Sequence, residues 1–146
     1  HVKICEELFS ACRTEFKHLE YYYFHNFIYE SVWKNNQRRQ SERISTQDLL
    51  NKYGADYKVI FIGDAAMGPY EITHAGGSVE HWNEEPGYKW MQRFMEKYKK
   101  LVWINPYPKD TWHYTASTGI VRDLIEDRMY PLTLEGLEEG MRFLAK

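Results

Sequence analysis

The sequence has few cysteines and almost no excess of charge of either sign. It contains 2 cysteines in 146 residues, and its 19 basic and 21 acidic side chains give a formal net charge of -2 at pH 7. Cys5 and Cys12 lie on one predicted helix, about two turns and roughly 10 Å apart along its axis, which excludes a disulfide between them. Both fall on the apolar face of that helix, so we interpret them as buried, reduced thiols in preference to a redox or metal pair.

Missing features also exclude several classes of function. A chain this close to neutrality has no overall field to hold a phosphate backbone or an anionic membrane surface. No stretch approaches the roughly 20 apolar residues that cross a bilayer, and no signal segment opens the sequence. We therefore expect a cytoplasmic protein without nucleic acid or membrane partners. There is also no glycine-rich phosphate loop, no nucleophile elbow and no helix with two histidines at metal spacing, so we do not expect an enzyme.

The sequence does contain enough apolar material for one core. Hydrophobic residues make up 43% of the chain and aromatic residues 16%, and we predict a single domain over residues 1–146. Three continuous apolar runs have the pattern of parallel strands buried on both faces; they are residues 57–62, 101–104 and 129–132. Amphipathic helices are predicted between and after these runs, at residues 85–100, 115–126 and 134–145. This alternation predicts an α/β domain with a mostly parallel sheet covered by helices on both faces.

The first part of the chain has different patterns. Residues 2–16 have the spacing of an amphipathic helix. Residues 19–28 are dense in aromatics, and with residues 29–33 they predict two antiparallel strands that meet near His25 and Asn26. We expect the strand at 29–33 to be the one antiparallel edge strand of the sheet.

A polar segment separates this region from the first apolar run. Residues 34–43 carry no period, so we interpret them as a solvated connection. Ser45 or Thr46 then caps a short helix that ends at Gly54, because a hydroxyl accepts from free amides and glycine tolerates the left-handed terminus.

Candidate functional residues follow the predicted strands. In an open α/β sheet, ligands bind beyond the carboxyl ends of the strands, where the sequence has Asp64, Asn105, His25 and Asn26. An aspartate directly after a strand is either a ligand or catalytic group, or it caps the next turn. The hydroxyl of Thr46 is a further candidate for the same edge, although a threonine in this position is more often a plain N-cap.

The longest predicted loop spans residues 65–84 and is therefore a candidate functional surface. It carries His74, Glu80 and His81, which would offer ligands to a transition metal. Their spacing fits no closed zinc pattern, so we favour a solvated loop over a metal site.

Four segments together resemble the von Willebrand factor A domain proteins of the CoxE-like group, over essentially the whole chain. They read YKVIFIGDAAMGPYEI, GGSVEHWNEEPG, LVWINP and MYPLTLEGLEEGMRFL. The resemblance implies a three-layer, Rossmann-like sandwich with a magnesium ion at an adhesion site. In that family the ligands are a DxSxS motif after the first strand, a threonine before a later helix and an aspartate after a strand. Thr46 resembles the threonine and Asp64 the aspartate, and both side chains offer the hard oxygen ligands that magnesium prefers.

The sequence departs from the family at the DxSxS motif, which does not occur in the 146 residues. The chain begins where the first helix of the family begins. We therefore expect a domain truncated at its N-terminus, in which magnesium binding is weak or absent.

The resemblance implies a protein-binding module that contacts its partner through the edge around Asp64 and Thr46. His25, Asn26 and Asn105 are the predicted partner contacts, and the implied partner is an AAA+ ATPase of the MoxR type. One alternative is a metal-assisted hydrolase that uses Asp64 with His81 or His74 as general base, although no nucleophile lies beside a base in the sequence. Another is a remnant of the fold that binds no metal.

Overall fold

The computed structural model of the chain describes residue 3, residues 18–79 and residues 82–146. The predicted helix at residues 2–16 lies outside the described residues except at residue 3, and both cysteines lie outside them. Glu80 and His81 also lie outside the described residues, so the part of the predicted metal site that depends on them is not described.

The described residues form an α/β structure with two separate sheets. The strands are β1 (Ser31–Trp33), β2 (Arg43–Ser45), β3 (Val59–Ile62), β4 (Leu101–Asn105) and β5 (Met129–Pro131). The α-helices are α1 (Thr46–Lys52), α2 (Tyr70–Thr73), α3 (Gly87–Lys97), α4 (Ala116–Leu124) and α5 (Leu134–Ala145). Short 3-10 helices occupy Gln40–Glu42 and Lys109–Tyr114. The order of strands and helices after β2 confirms the predicted alternation.

The larger sheet is parallel and has the order β3-β4-β5. Each strand follows its neighbour in sequence, and Trp103 of β4 is in register with Phe61 of β3 and Met129 of β5. All residues of β4 are buried, which is why its sequence is a continuous apolar run instead of an alternating one. Within the described residues, no strand pairs with β3 on the side that faces away from β4.

The two faces of the parallel sheet are covered by different helices. Phe61 and Trp103 point to one face, where Phe61 packs against Phe94 of α3 with ring centroids 5.3 Å apart. Ile104 points to the opposite face, because successive residues of a strand alternate. There Gly140 of α5 packs on the sheet, since a Cβ at this position would lie 3.4 Å from the Ile104 side chain, in van der Waals contact. The parallel sheet therefore lies between two helical layers.

The smaller sheet is antiparallel, and no strand pairing joins it to the parallel sheet. β1 pairs with β2, and the hydroxyl of Ser45 accepts a hydrogen bond from the Asp48 amide at 3.4 Å, so Ser45 is the N-cap of α1. The prediction that residues 29–33 form an edge strand of the parallel sheet is wrong. The strand in this region, β1, pairs instead with β2, which follows the polar connection.

The predicted strand at residues 19–28 is also wrong. Only Tyr23 makes a bridge, to Trp33, and Asn26 has a φ of 60°, in the left-handed region that interrupts a strand. The aromatic residues that suggested a strand pack into the core instead, where Phe24 and Phe27 contact the ring of Trp103.

Candidate functional site

Asp64 lies at the carboxyl end of β3, two residues after Ile62, the last residue of the strand. Its side chain is half-buried. One carboxylate oxygen, Oδ1, accepts a hydrogen bond from the Ala66 amide at 2.9 Å, which is the turn-capping arrangement typical of aspartate. The other oxygen, Oδ2, has no hydrogen-bond partner among the described residues. Asp64 therefore caps its own turn and still has a carboxylate oxygen to offer to a ligand.

Asn105 supports Asp64 from the end of the neighbouring strand β4. Its amide nitrogen donates to the backbone carbonyl of Asp64 at 3.0 Å and contacts the sulfur of Met129 in β5 at 3.5 Å. Its amide oxygen accepts from the Tyr107 amide at 2.9 Å. Asn105 is fully buried, so the prediction that it contacts a partner has no support from its position. Its side chain instead holds together the carboxyl ends of the three parallel strands.

The residue after Asp64 has an unusual backbone. Ala65 is fully buried and has a φ of 56°, in the left-handed region that costs a non-glycine residue roughly 1–2 kcal/mol. Its carbonyl oxygen accepts hydrogen bonds from the Ser117 hydroxyl at 2.6 Å and the Thr118 hydroxyl at 3.2 Å. The Ser117 hydroxyl in turn accepts from the Met67 amide at 2.9 Å. The first turn of α4 thus holds the chain on both sides of Ala66.

Ser117 and Thr118 do not appear among the residues selected from the sequence. Both are buried, and both donate to the Ala65 carbonyl from a helix whose sequence, ASTGIVRDL, has a serine and a threonine in its first turn. Hydroxyl side chains on the inner face of an amphipathic helix are the signal that points to buried hydrogen bonds, because a buried hydroxyl needs a partner.

Thr46 lies in a different environment from Asp64. It is the first residue of α1 and is fully buried. Its hydroxyl donates to the Tyr29 carbonyl at 2.5 Å and its amide to the Glu30 carbonyl at 2.8 Å. These bonds join α1 to the segment before β1, and no hydrogen bond joins Thr46 to Asp64.

Asn26 anchors the loop that follows Asp64. Its amide nitrogen donates at 2.9 Å to the carboxylate of Glu71, whose other oxygen accepts from the Gly68 amide at 2.8 Å. Glu71 is only 4% exposed, and its carbonyl accepts from the Tyr29 hydroxyl at 2.8 Å. The pKa of Tyr29 is raised, mainly because the ring is buried and secondly because the negative charge of Glu71 is close. The Tyr29 hydroxyl therefore stays protonated and acts as the donor. His25, the neighbouring predicted partner contact, is half-buried in the same bend.

The far part of the loop is held by Asn83, which is fully buried. Its amide nitrogen donates to the carbonyls of His74 at 3.2 Å and Glu85 at 2.8 Å, and its amide oxygen accepts from the Ser78 amide at 2.9 Å. The ring of His74 is exposed and contacts the Thr73 hydroxyl at 2.6 Å. None of these hydrogen bonds involves Asp64.

A complete metal site is not formed by the residues that the structure describes. Among them, no group of three or more histidine, cysteine, aspartate or glutamate side chains is arranged to hold a metal ion. In the same residues, no helix is both long and apolar enough to cross a lipid bilayer. Comparison of the chain with models of protein families, with curated proteins and with solved structures finds no match in any of the three.

Proposed function

We propose that this chain is a protein-binding module of the von Willebrand factor A type, which contacts its partner at the carboxyl edge of the parallel sheet around Asp64. The observation that carries the proposal is the carboxylate of Asp64, which has a fixed backbone and one oxygen without a partner among the described residues. This edge is where ligands bind in open α/β sheets.

The finer fold that we propose is the three-layer sandwich of this family. It is supported by three parallel strands in sequential order with helices on both faces. In the family, the first strand pairs with the strand that carries the aspartate, and its DxSxS ligands lie beside that aspartate. Within the described residues, no strand pairs with β3 on the side that faces away from β4, and this is the side on which the first strand of the family would pair.

The cofactor that we propose for the full site is magnesium, but the two predicted ligands fit it unequally. Asp64 is half-buried and offers a hard carboxylate oxygen. Thr46 is fully buried and its hydroxyl donates a hydrogen bond to the Tyr29 carbonyl, so it does not fit a solvent-accessible cation in the conformation described. A single charged ligand binds magnesium weakly, because this cation loses its water reluctantly. We therefore propose a weak site in this chain.

The partner that we propose is a protein, and the resemblance favours an AAA+ ATPase of the MoxR type in the cytoplasm. The segment after β4 gives the edge an apolar component. It is anchored by Trp112, whose indole nitrogen donates to the Tyr107 carbonyl at 2.9 Å. The rings of Tyr107 and Tyr114 are 42% and 79% exposed, and exposed aromatic residues are enriched where proteins bind each other.

The first test measures whether the immobilised MoxR-type ATPase of the source organism retains this chain. The second test is a titration of this chain with magnesium, followed by NMR. Asp64→Asn should abolish retention and any magnesium-dependent shift of the amides around residue 64. Asp56→Asn is the matched control, because Asp56 is exposed and precedes β3 at the opposite end of the strand. Equal behaviour of the two variants would contradict the proposed role of Asp64.

A further inference from the structure

The orientation of Asp64 depends on the peptide unit that follows it. The structure combines the hydrogen bond from the Ala66 amide to Oδ1 of Asp64 with a left-handed conformation of Ala65, the residue between them. This conformation is unfavourable for Ala65, because alanine, unlike glycine, has a Cβ. Something outside the turn must therefore stabilise it.

Ser117 is the side chain best placed to do so. Its hydroxyl donates to the Ala65 carbonyl at 2.6 Å and accepts from the Met67 amide at 2.9 Å. One oxygen atom thus joins the two ends of the segment from 65 to 67 and leaves the amide between them free to reach Asp64. Thr118 reaches the same carbonyl, but its bond is longer, at 3.2 Å, and no bond joins it to the Met67 amide.

The position of Ser117 makes it a rigid support. It lies in the first turn of α4 (Ala116–Leu124) and is fully buried. The same helix carries Val121, which is fully buried in the main core. A side chain on such an element holds its partner more precisely than one on a loop does.

We infer that Ser117 is the positioning residue of Asp64, which fixes the carboxylate by locking Ala65 in its left-handed conformation. The inference rests on the proposed function in one respect. If Asp64 is a magnesium ligand, Ser117 is the residue outside the sheet edge that sets the geometry of that ligand. The hydrogen bonds that join Ser117 to Ala65 and Ala66 to Asp64 involve no cation.

The experiment compares Ser117→Ala with Thr118→Val, which removes the other hydroxyl from the same carbonyl and keeps the side chain's shape. The first readout is amide hydrogen exchange at Ala66, measured without magnesium and normalised to the global stability of each variant. We expect Ser117→Ala to accelerate exchange at Ala66 by about tenfold, the equivalent of one lost hydrogen bond of about 1.4 kcal/mol, and Thr118→Val by less than about twofold. If Ser117→Ala does not fold, Ser117→Cys keeps a weak donor and should give an intermediate acceleration.

The second readout is the magnesium titration of the same variants. If the wild-type chain responds to magnesium, Ser117→Ala should raise the midpoint by severalfold and Thr118→Val should leave it unchanged. If the wild type does not respond, the proposed magnesium site is refuted, while exchange at Ala66 still decides the inference. Equal exchange at Ala66 in Ser117→Ala and the wild type, or equal acceleration in both variants, would overturn the positioning role.

Discussion

Replacement of Trp103 tests whether the aromatic core and the candidate site form one structural unit. Trp103 is fully buried in the middle of β4. Its ring stacks on Phe61, with centroids 5.5 Å apart and planes 12° apart, and on Phe27 at 6.0 Å and 24°. Its indole nitrogen donates at 2.8 Å to the carbonyl of Gly63, the residue directly before Asp64. The side chain therefore contributes both packing and a hydrogen bond.

The two contributions can be separated by two substitutions. Trp103→Phe keeps an aromatic ring but leaves the Gly63 carbonyl without its donor, which costs about 1–3 kcal/mol. The smaller ring also leaves a cavity that costs about 1 kcal/mol more. We expect a total loss of about 2–4 kcal/mol of unfolding free energy. Trp103→Ala removes the stacked rings as well and should reach or exceed about 5 kcal/mol, the upper end for aromatic truncations.

The assay is urea unfolding followed by far-UV circular dichroism, because tryptophan fluorescence changes with the substitution itself. Trp82→Phe is the control, since the side chain of Trp82 is 73% exposed and its replacement should change stability by less than about 0.5 kcal/mol. A loss below about 1 kcal/mol for Trp103→Phe would refute the argument that its indole nitrogen supports the Gly63 carbonyl.

Two further predictions concern charge and helix packing. Hydrogen bonds from Arg93 lower the pKa of Glu85 below its ordinary value of 4.5. The pair therefore stabilises the fold above pH 4.5 and loses its contribution as the pH falls through the lowered pKa. Arg93→Met should reduce the difference in unfolding free energy between pH 7 and pH 3, measured by urea titration, by less than about 1 kcal/mol, because the pair is partly exposed to solvent. The same difference in the variant and the wild type would contradict this prediction. Gly136→Ala should lower the melting temperature, because its Cβ would lie 2.0 Å from the Pro131 carbonyl. Gly119→Ala, with no atom within 4 Å of the new Cβ, should stabilise α4 by about 0.5–1 kcal/mol, and the opposite ranking would contradict the packing of these helices.

The parallel half of the fold was predictable because its signals are local. Strands buried on both faces need continuous apolar runs, and the three runs correspond to β3, β4 and β5 within two residues at each end. The helix at Leu134–Ala145 has the predicted bounds, since its apolar period and its Thr133 cap, which accepts from the Gly136 amide at 3.0 Å, coincide.

The first half of the chain was less predictable because tertiary contacts decide its structure. The strands Ser31–Trp33 and Arg43–Ser45 have three residues each, too few to show an alternating pattern. The aromatic residues from 19 to 28 favour a strand by propensity, but the left-handed Asn26 and the packing of Phe27 on Trp103 override that preference. The single-turn helix at Tyr70–Thr73 is likewise too short to produce a helical period within the loop predicted there.

The candidate site divides in the same way. Asp64 and Asn105 follow apolar runs, so their place at one edge of the sheet could be predicted from strand ends alone. The hydrogen bonds from Asn26 to Glu71 and from Ser117 to Ala65 join residues 45 and 52 positions apart. No local sequence pattern indicates hydrogen bonds between residues so far apart in the chain. The roles of Asn26 as a loop anchor and of Ser117 as a support are therefore visible only in the structure.

The backbone around Asp64 is held by three consecutive carbonyl groups, each of which has a side-chain donor from a different position. The Gly63 carbonyl accepts from Trp103, the Asp64 carbonyl from Asn105 and the Ala65 carbonyl from Ser117. A chain that leaves a buried strand must find new donors for these carbonyls, because unpaired buried carbonyls are costly. Here the donors come from the centre of β4, its end and the first turn of α4, so the backbone at residue 64 is fixed against both the sheet and a helix. A carboxylate on such a backbone loses little conformational entropy when it binds a ligand, which is the physical advantage of placing a binding residue at a strand end.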